Sequence, residues 1–575
     1  METLQTKVLV VGGGTGGTAA ALQCARNGVE TILVSEFQWL GGMLTAAGVA
    51  APDGNELLPW QTGLWGTFLR ELQKRQKEGL DHSWVSMFTF DPCLGAEIFA
   101  EWVKTEKNLT WISGQVPLEV KKQGDRLTGV RFGKYEIHAD IIIDGTELGD
   151  ILALGDLPHR WGWDWDEGIT MDEPSVVKQP NKMTETYPVQ SPTWVFYMQE
   201  NGAKPPVDYR DYTKFKGAWK EGDLDLFMNY GGLPGGKFML NWPIDGNDYG
   251  LDANRLLDPT TRQDFYKDAQ AHSFAFADHI YRESNGKYGL AKEIFPHDLG
   301  EGSFALMPYF RESRRIIGTE TFIEKQLLPD GDVALLPIDD KGIVTVIAIG
   351  NYPNDHHYPG FKFPLFPKSI TWGGRVTGTP FTLPFSVLIP AETEGLIACE
   401  KNIAVSHMAN GATRLQPLVM NTGQAAGQTA ALAIQNNCSP RNISVRELQE
   451  KLLTDTSAPA AVIPFYNLPL EHSEWLKWQR FYLDNPDQYP QTGICPCSDF
   501  QSSLTSQAKE YMGTIEKVGD RLYFVQLDNN QGGFRLITLN PEIHQWLSGL
   551  NAPAKVTMFG RINHAASWFV LEQIS

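Results

Sequence analysis

The run Lys7-Val8-Leu9-Val10-Val11, followed by Gly12-Gly13-Gly14-Thr15-Gly16-Gly17, constrains this chain more than any other feature. A short β-branched strand enters a glycine turn, and the turn opens an Ala-rich stretch, Thr18 to Asn27, with high helix propensity. Gly28 sits where a helix ends, and Thr31-Ile32-Leu33-Val34 is a second apolar run. Strand, helix and strand in that order form a βαβ unit, the start of a parallel sheet covered on both faces. Gly12, Gly14 and Gly17 have G-x-G-x-x-G spacing. The first glycine permits the tight turn, the second lets backbone approach a pyrophosphate, and the third lets helix pack on strand. Thr15 and Gly16 belong to the turn that leads into the helix N-terminus, whose free N–H groups and positive dipole end suit phosphates. Glu36 closes the second strand, where a carboxylate accepts hydrogen bonds from ribose hydroxyls and disfavours a 2′-phosphate. These residues predict a dinucleotide site.

Composition excludes several other readings. Hydrophobic residues make up 42% and charged residues 20%, which is globular composition. The net charge of −19 disfavours nonspecific binding to nucleic acid or anionic membrane. No stretch approaches the ~18 apolar residues of a spanning helix, and Met1 to Lys7 lacks a signal-like pattern, so the expected location is the cytoplasm. Six scattered cysteines do not make a disulfide framework, and Cys495-Pro496-Cys497 has neither zinc-knuckle nor redox-motif spacing. No metal site is expected. Gly231 to Lys237 matches G-x-x-x-x-G-K but lacks the following Ser or Thr, and a strand-like Phe238-Met239-Leu240 follows, so it reads as a loop.

Gly41-Gly42-Met43, directly after Glu36, lays further chain along the same cofactor. With that stretch the sequence resembles the FAD-dependent oxidoreductases with a glutathione-reductase-like FAD domain, the group that includes the flavoproteins similar to those of heterodisulfide reductase. Four blocks carry the resemblance: Val8 to Thr45, Ile143 to Asp150, Tyr309 to Gly318, and Leu388 to Ala431. It implies noncovalent FAD, with backbone near Val116 at the adenine and the Asp144 to Thr146 turn near the diphosphate. It also implies a last helix aimed at the flavin pyrimidine, with N–H groups of Thr422, Gly423 and Gln424 facing reduced flavin. Clustered cysteines for iron–sulfur groups are missing, so heterodisulfide chemistry is not implied.

The expected fold is α/β: a Rossmann-like FAD-binding domain (1–155, returning at 386–456), an inserted α+β substrate domain (156–385), a linker (457–500) and a small β-barrel, OB-like in pattern (501–575). Leu64 to Lys77 reads as an amphipathic helix, Thr422 to Ile434 as the flavin-facing one, and Ser457 to Leu470, with three prolines, as linker. No second nucleotide fingerprint follows, so electrons are expected to leave to oxygen, a quinone or a protein. His407 and Arg414 precede the flavin-facing helix, and His407 is the proton-transfer candidate. Arg311, Arg314 and Arg315 with Glu312 either clamp a substrate carboxylate or tie segments together. In Asp355-His356-His357, extended chain turns the two histidines to opposite faces, and His357 is a site candidate. Trp161, Trp163 and Trp165 alternate as on one strand face. The functional reading is hydride abstraction from a small organic substrate. Two alternatives stand beside it: a flavin-dependent RNA-modifying enzyme and a noncatalytic, flavin-stabilised assembly protein. The barrel carries six basic and six acidic residues, a balance that argues against RNA.

Overall fold

The computed structural model describes residues 1–170, 173–207, 213–219, 223–366, 369–498, 503–528 and 532–575. Its centre is a sheet of order β3-β2-β1-β6-β5-β4, built from Glu2–Val11 (β1), Thr31–Ser35 (β2), Leu109–Ser113 (β3), Glu119–Gln123 (β4), Arg126–Arg131 (β5) and Tyr135–Asp144 (β6). The β-branched runs of β1, β2 and β6 are fully buried towards their carboxyl ends, as strands covered on both faces must be. β6 is long enough to serve two neighbours. Its first half pairs antiparallel with β5, and Ile142 to Asp144 pair parallel with the strand Leu396–Ala398. The register Val11↔Val34, Val11↔Asp144 and Ala398↔Asp144 brings four strand ends to one edge. Ligands of open α/β sheets bind at that carboxyl edge.

The helix α1, Thr15–Arg26, packs on the helix Gln416–Gln435, and Gly423 is the point of closest approach. A Cβ at Gly423 would lie 2.2 Å from the Gly16 carbonyl oxygen. The expected start of this helix at Thr422 is corrected to Gln416, with Pro417 in its first turn, a position where the missing N–H costs nothing.

After β6 the chain builds a four-stranded antiparallel sheet from Tyr288–Leu290, Phe196–Glu200, Lys237–Leu240 and Gly232–Leu233. The helix Pro259–Glu283 contributes Phe265, Ala269 and Phe276 to the core behind that sheet. Gly231 to Lys237 forms short turns and strand starts here, with no helix after it. The tryptophans at 161, 163 and 165 do not share a strand face. The strand ends at Arg160; Trp163 is buried against Tyr358 while Trp165 is exposed. Ser457 to Leu470 packs closely: Ala458, Val462, Ile463, Phe465 and Leu468 are buried in the main core.

Near the end of the chain, Lys509–Gly519, Leu522–Leu527, Gly533–Ile537, Ala554–Asn563 and Trp568–Ile574 close into a five-stranded barrel of order 1-2-3-5-4, with the helix Pro541–Ser548 between strands three and four. The expected boundary at 500/501 lies outside the described residues. The barrel docks on the hairpin Ser369–Trp372/Arg375–Gly378, where Arg375 pairs with Glu56 at 2.9 Å and covers the Trp568 ring. No described helix is long and apolar enough to cross a membrane.

Candidate functional site

At the carboxyl edge of the parallel sheet lies a cleft of about 970 Å³. Gly12, Gly14, Glu36, Gly42, Val116 and Thr146 line it. The glycines are sterically required. Gly12 has φ +105°, and a Cβ there would meet the Gly145 oxygen at 2.2 Å; one at Gly42 would lie 2.7 Å from Gly14 Cα. Thr15, Gly16, Gly17, Gly41, Met43 and Asp144 stand behind this wall. The Thr15 hydroxyl donates to the Gly41 carbonyl at 2.7 Å, which locks the second glycine pair onto the first turn. Asp144 shapes the opposite turn by accepting from the Thr146 N–H and hydroxyl, and burial pushes its carboxyl up to about 7.

Residues from far along the chain stand behind this cleft or line it. Glu400 follows the last core strand and accepts from the Gly16 N–H at 2.5 Å, at the N-terminus of α1. Burial pushes Glu400 up to about 7, while Lys401 opposes the shift. Lys401 bridges it to Glu147 at 3.3 and 2.6 Å. Arg262, on the helix Pro259–Glu283, holds Asp150 at 2.7 Å, and Arg314 reaches the same carboxylate at 3.3 Å. Both guanidiniums line the cleft, and so do Gln263, Tyr266 and Gln270 from the same helix face.

Thr422, Gly423 and Gln424 do not line the cleft. Their N–H groups lie inside a helix that starts at Gln416, so they are not the free donors of a first turn. The Thr422 hydroxyl donates to the Leu418 carbonyl, and Gln424 joins Leu64 and Ala458. The first turn instead belongs to Gln416, Pro417 and Leu418, with Leu415 as an N-cap that offers no side-chain acceptor. Gln416 Oε1 is buried without a partner.

Of the four expected reacting groups, three meet. His357 places Nδ1 2.7 Å from Asp248 and Nε2 2.7 Å from Asp355. Arg414 reaches Asp355 at 3.1 Å and the Tyr309 hydroxyl at 2.6 Å. Arg311 reaches Asp248 at 3.1 Å and Asn241 at 3.3 Å. Burial works to raise the Asp248 and Asp355 carboxyls, but the cations beside them outweigh it and hold both low. Asp355 nevertheless keeps 41% of its side chain exposed. Asp53, Tyr230 and Tyr352 are half-buried as well and interact electrostatically with this group, and together with Asp355 they give the network a partly exposed side, the recess. Burial pushes Asp53 up to about 8, with Glu56 adding to the effect.

His407, the fourth, does not join them. Its Nδ1 meets Glu312 at 2.8 Å and its Nε2 the Tyr358 hydroxyl at 2.6 Å, and it is 1% exposed. With both nitrogens engaged and no opening, it has no free position for a substrate. The Arg311 to Arg315 run therefore divides three ways: Arg311 to the recess, Arg314 to the cleft, and Arg315 to Asp164 and Glu312 beside His407. His356 turns away from His357, towards Tyr358 and the Met408 carbonyl.

Residues 7–452 match the family described as FAD dependent oxidoreductase. The chain belongs to that family. It is an FAD-dependent oxidoreductase, and FAD is its cofactor. The cleft fits FAD by its own features: a cradle that any Cβ would fill, the N-cap Gly14 without a side-chain cap, and a carboxylate at the end of β2. No curated protein matches the sequence. Solved structures similar to this oxidoreductase include a geranylgeranyl bacteriochlorophyll reductase-like protein from Thermoplasma acidophilum, 11% identical over 78% of this chain and 84% of that one, with TM-score 0.32. A mutant of PqsL from P. aeruginosa is 10% identical over 85% and 98%, with TM-score 0.29. The flavin-dependent monooxygenase PieE, in complex with FAD and substrate, is 12% identical over 35% and 36%, with TM-score 0.22. Likeness this slight carries no argument, and the assignment rests on the family match.

Proposed function

We propose that this oxidoreductase removes hydride from a small organic substrate, at a carbon bearing a hydroxyl or amine or across a C–C bond. Noncovalently bound FAD supplies the two-electron acceptor. Gly12, Gly14, Gly42, Glu36 and Thr146 hold its adenosine diphosphate half, with Arg262 and Arg314 nearby, and Val116 borders the adenine. The substrate lies in the recess, where Arg311, Arg414 and His357 orient it. Asp53, which has no hydrogen-bond or ion-pair partner among the described residues, exchanges a proton with the substrate heteroatom. Residues 156–385 act as the inserted substrate-binding part on a cofactor domain formed by 1–155 and 386–456. The barrel is an OB-like appendage that braces the hairpin 369–378. The electron acceptor is oxygen, a quinone or a protein.

One observation carries this reading: two segments run from cleft to recess. Gly42 and Ala46 line the cleft, and the same segment continues to Asp53. Met307, Phe310 and Arg314 line the cleft, while Tyr309 and Arg311, between them, bond within the recess. Anaerobic screening with alcohols, amines and amino acids, followed by bleaching of the oxidised flavin, tests it. Bleaching by one class sets the substrate. No bleaching by any of them, in protein that dithionite reduces, contradicts the proposal.

A further inference from the structure

Spacing does not mark Cys495-Pro496-Cys497, but packing distinguishes the pair from the other four cysteines. Cys24 and Cys399 are buried in the main core, and burial pushes both thiols up. Cys93 and Cys438 are half-buried. Burial, with Glu97 and Asp91 nearby, raises the Cys93 thiol as well. A thiol raised in this way is a poor nucleophile, because the thiolate is the reacting form.

Asn467, on the segment that fills the core, clasps the pair. Its Oδ1 accepts from the Cys495 N–H at 2.7 Å, and its Nδ2 donates to the Cys495 carbonyl at 2.8 Å. The same Nδ2 stands 3.5 Å from Cys497 Sγ, and the Asn467 carbonyl oxygen 3.7 Å from it. One residue thus fixes the backbone of the first cysteine and the sulfur of the second. The Cys495 thiol hydrogen-bonds the Cys497 sulfur, which holds Cys497 below the usual thiol range and pushes Cys495 up. Exposure separates the two as well. Cys495 is 1% exposed, whereas Cys497 is half-buried between Pro496 and Ser498, both open to solvent. Among the described residues no group of three or more His, Cys, Asp and Glu is placed to hold a metal ion, so the pair is not part of one. Neither cysteine lines the cofactor cleft.

We propose that Cys495 and Cys497 form a dithiol that a hydroperoxide oxidises to a disulfide, with Cys497 as the attacking sulfur and Cys495 as the resolving one. With hydrogen peroxide, the Cys497 thiolate attacks one oxygen and the O–O bond breaks. The departing oxygen takes up a proton and leaves as water, and Cys497 becomes a sulfenic acid. The Cys495 sulfur then attacks Cys497, the S–O bond breaks, and the sulfenic oxygen leaves with the Cys495 proton as a second water. Across both steps the sulfurs lose two electrons and the peroxide gains them. The bridge is within reach: a disulfide needs Cα atoms within about 7 Å, and residues two apart in any chain meet that limit. The site is independent of the recess and of the substrate it takes.

The test treats reduced, FAD-loaded protein with a small excess of hydrogen peroxide, alkylates the remaining thiols in denaturant, and maps tryptic peptides by mass. Residues 481–509 form one tryptic peptide that holds both cysteines and no other. That peptide is expected to lose two hydrogens and escape alkylation, roughly tenfold or more faster than Cys93 and Cys438 lose their thiols. In Cys495→Ser, Cys497 should stop at a sulfenic acid that dimedone captures. In Cys497→Ser, Cys495 should stay reduced and be alkylated. Oxidation of Cys93 or Cys438 ahead of the pair overturns the proposal. So does a wild-type peptide that stays fully alkylated, or one that gains oxygen without losing two hydrogens. Dimedone capture at Cys495 in Cys497→Ser, with none at Cys497 in Cys495→Ser, overturns it too. The wild-type map decides the matter even if neither variant folds.

Discussion

The cleft and the recess adjoin, share two chain segments, and are made of different material. Backbone shapes the cleft: Gly12, Gly14 and Gly42 matter because they present no side chain, and a Cβ on each would meet its nearest atom at 2.2 to 2.6 Å. The recess is a network of side chains whose groups come from residues 53, 230, 248, 309–311, 352–357 and 414, and none of those segments holds its shape alone. A surface of backbone serves a ligand that is the same throughout a family. A network of charged side chains can be re-tuned to a different substrate by one substitution. The difference also predicts how each region fails: cleft variants lose the cofactor, whereas recess variants keep it and lose stability or selectivity.

The largest effect is expected at Gly12. In Gly12→Val the new side chain collides with backbone at Gly145 and is strained at φ +105°. FAD affinity should fall by about a hundredfold or more, on the scale of a few kcal/mol of lost fit. Near-normal FAD binding to this variant, measured by fluorescence titration, would break the comparison at its strongest point.

His357→Ala comes next and should act on stability. It leaves Asp248, with a side chain 1% exposed, without one of its partners, Arg311 remaining. Removing a partner from a buried pair costs about 3–5 kcal/mol. The sign with pH follows from the lowered Asp248 carboxyl. Its stabilisation is present above the unfolded carboxylate range and is lost as pH falls through the folded value. The variant should therefore lose less stability than wild type on acidification, while its FAD content at neutral pH stays unchanged. Parallel acid-unfolding curves would contradict this.

A smaller effect is expected from Glu400. Its carboxyl stands at the first turn of α1, and burial raises it to about 7. Above that pH it is negative and opposes a diphosphate; below it the group is neutral. FAD affinity should weaken a few-fold as pH rises through about 7, and Glu400→Gln should flatten the profile. An unchanged slope in Glu400→Gln would remove Glu400 from the cleft's electrostatics.

Thr422→Ala is expected to do least. Its hydroxyl bonds only within its own helix, and such changes stay within about 0.5 kcal/mol. A marked loss of FAD affinity would restore the role that sequence alone suggests for this position.

These contrasts follow how much of the molecule is legible in the sequence. The βαβ start, the strands to Ile143 and the terminal barrel can be read because strand periodicity and glycine turns are local signals. The cleft residues Gly12, Gly14 and Glu36 are legible for the same reason, and Thr146 through the family resemblance. The helix start at Gln416 is easily missed, although Pro417 after Leu415 is a helix-opening signal, because the Ala- and Gly-rich stretch further on is more conspicuous. Asp53, Asp248, Tyr230 and Tyr352 leave no local trace. Each is one polar residue in a loop or short element, and only tertiary packing gathers them. Ser457 to Leu470 reads as linker because of its prolines, and the residues between them are mostly apolar and fill the core.

The most direct test of the division between cleft and recess is the rate of anaerobic flavin reduction in Arg414→Ala, with the substrate found by screening. Arg414 bonds within the recess and does not line the cofactor cleft. The account predicts full FAD content and reduction slowed by about tenfold to a hundredfold, on the scale of one lost charge-assisted contact. Reduction at the wild-type rate, or protein that folds but no longer holds FAD, would contradict it.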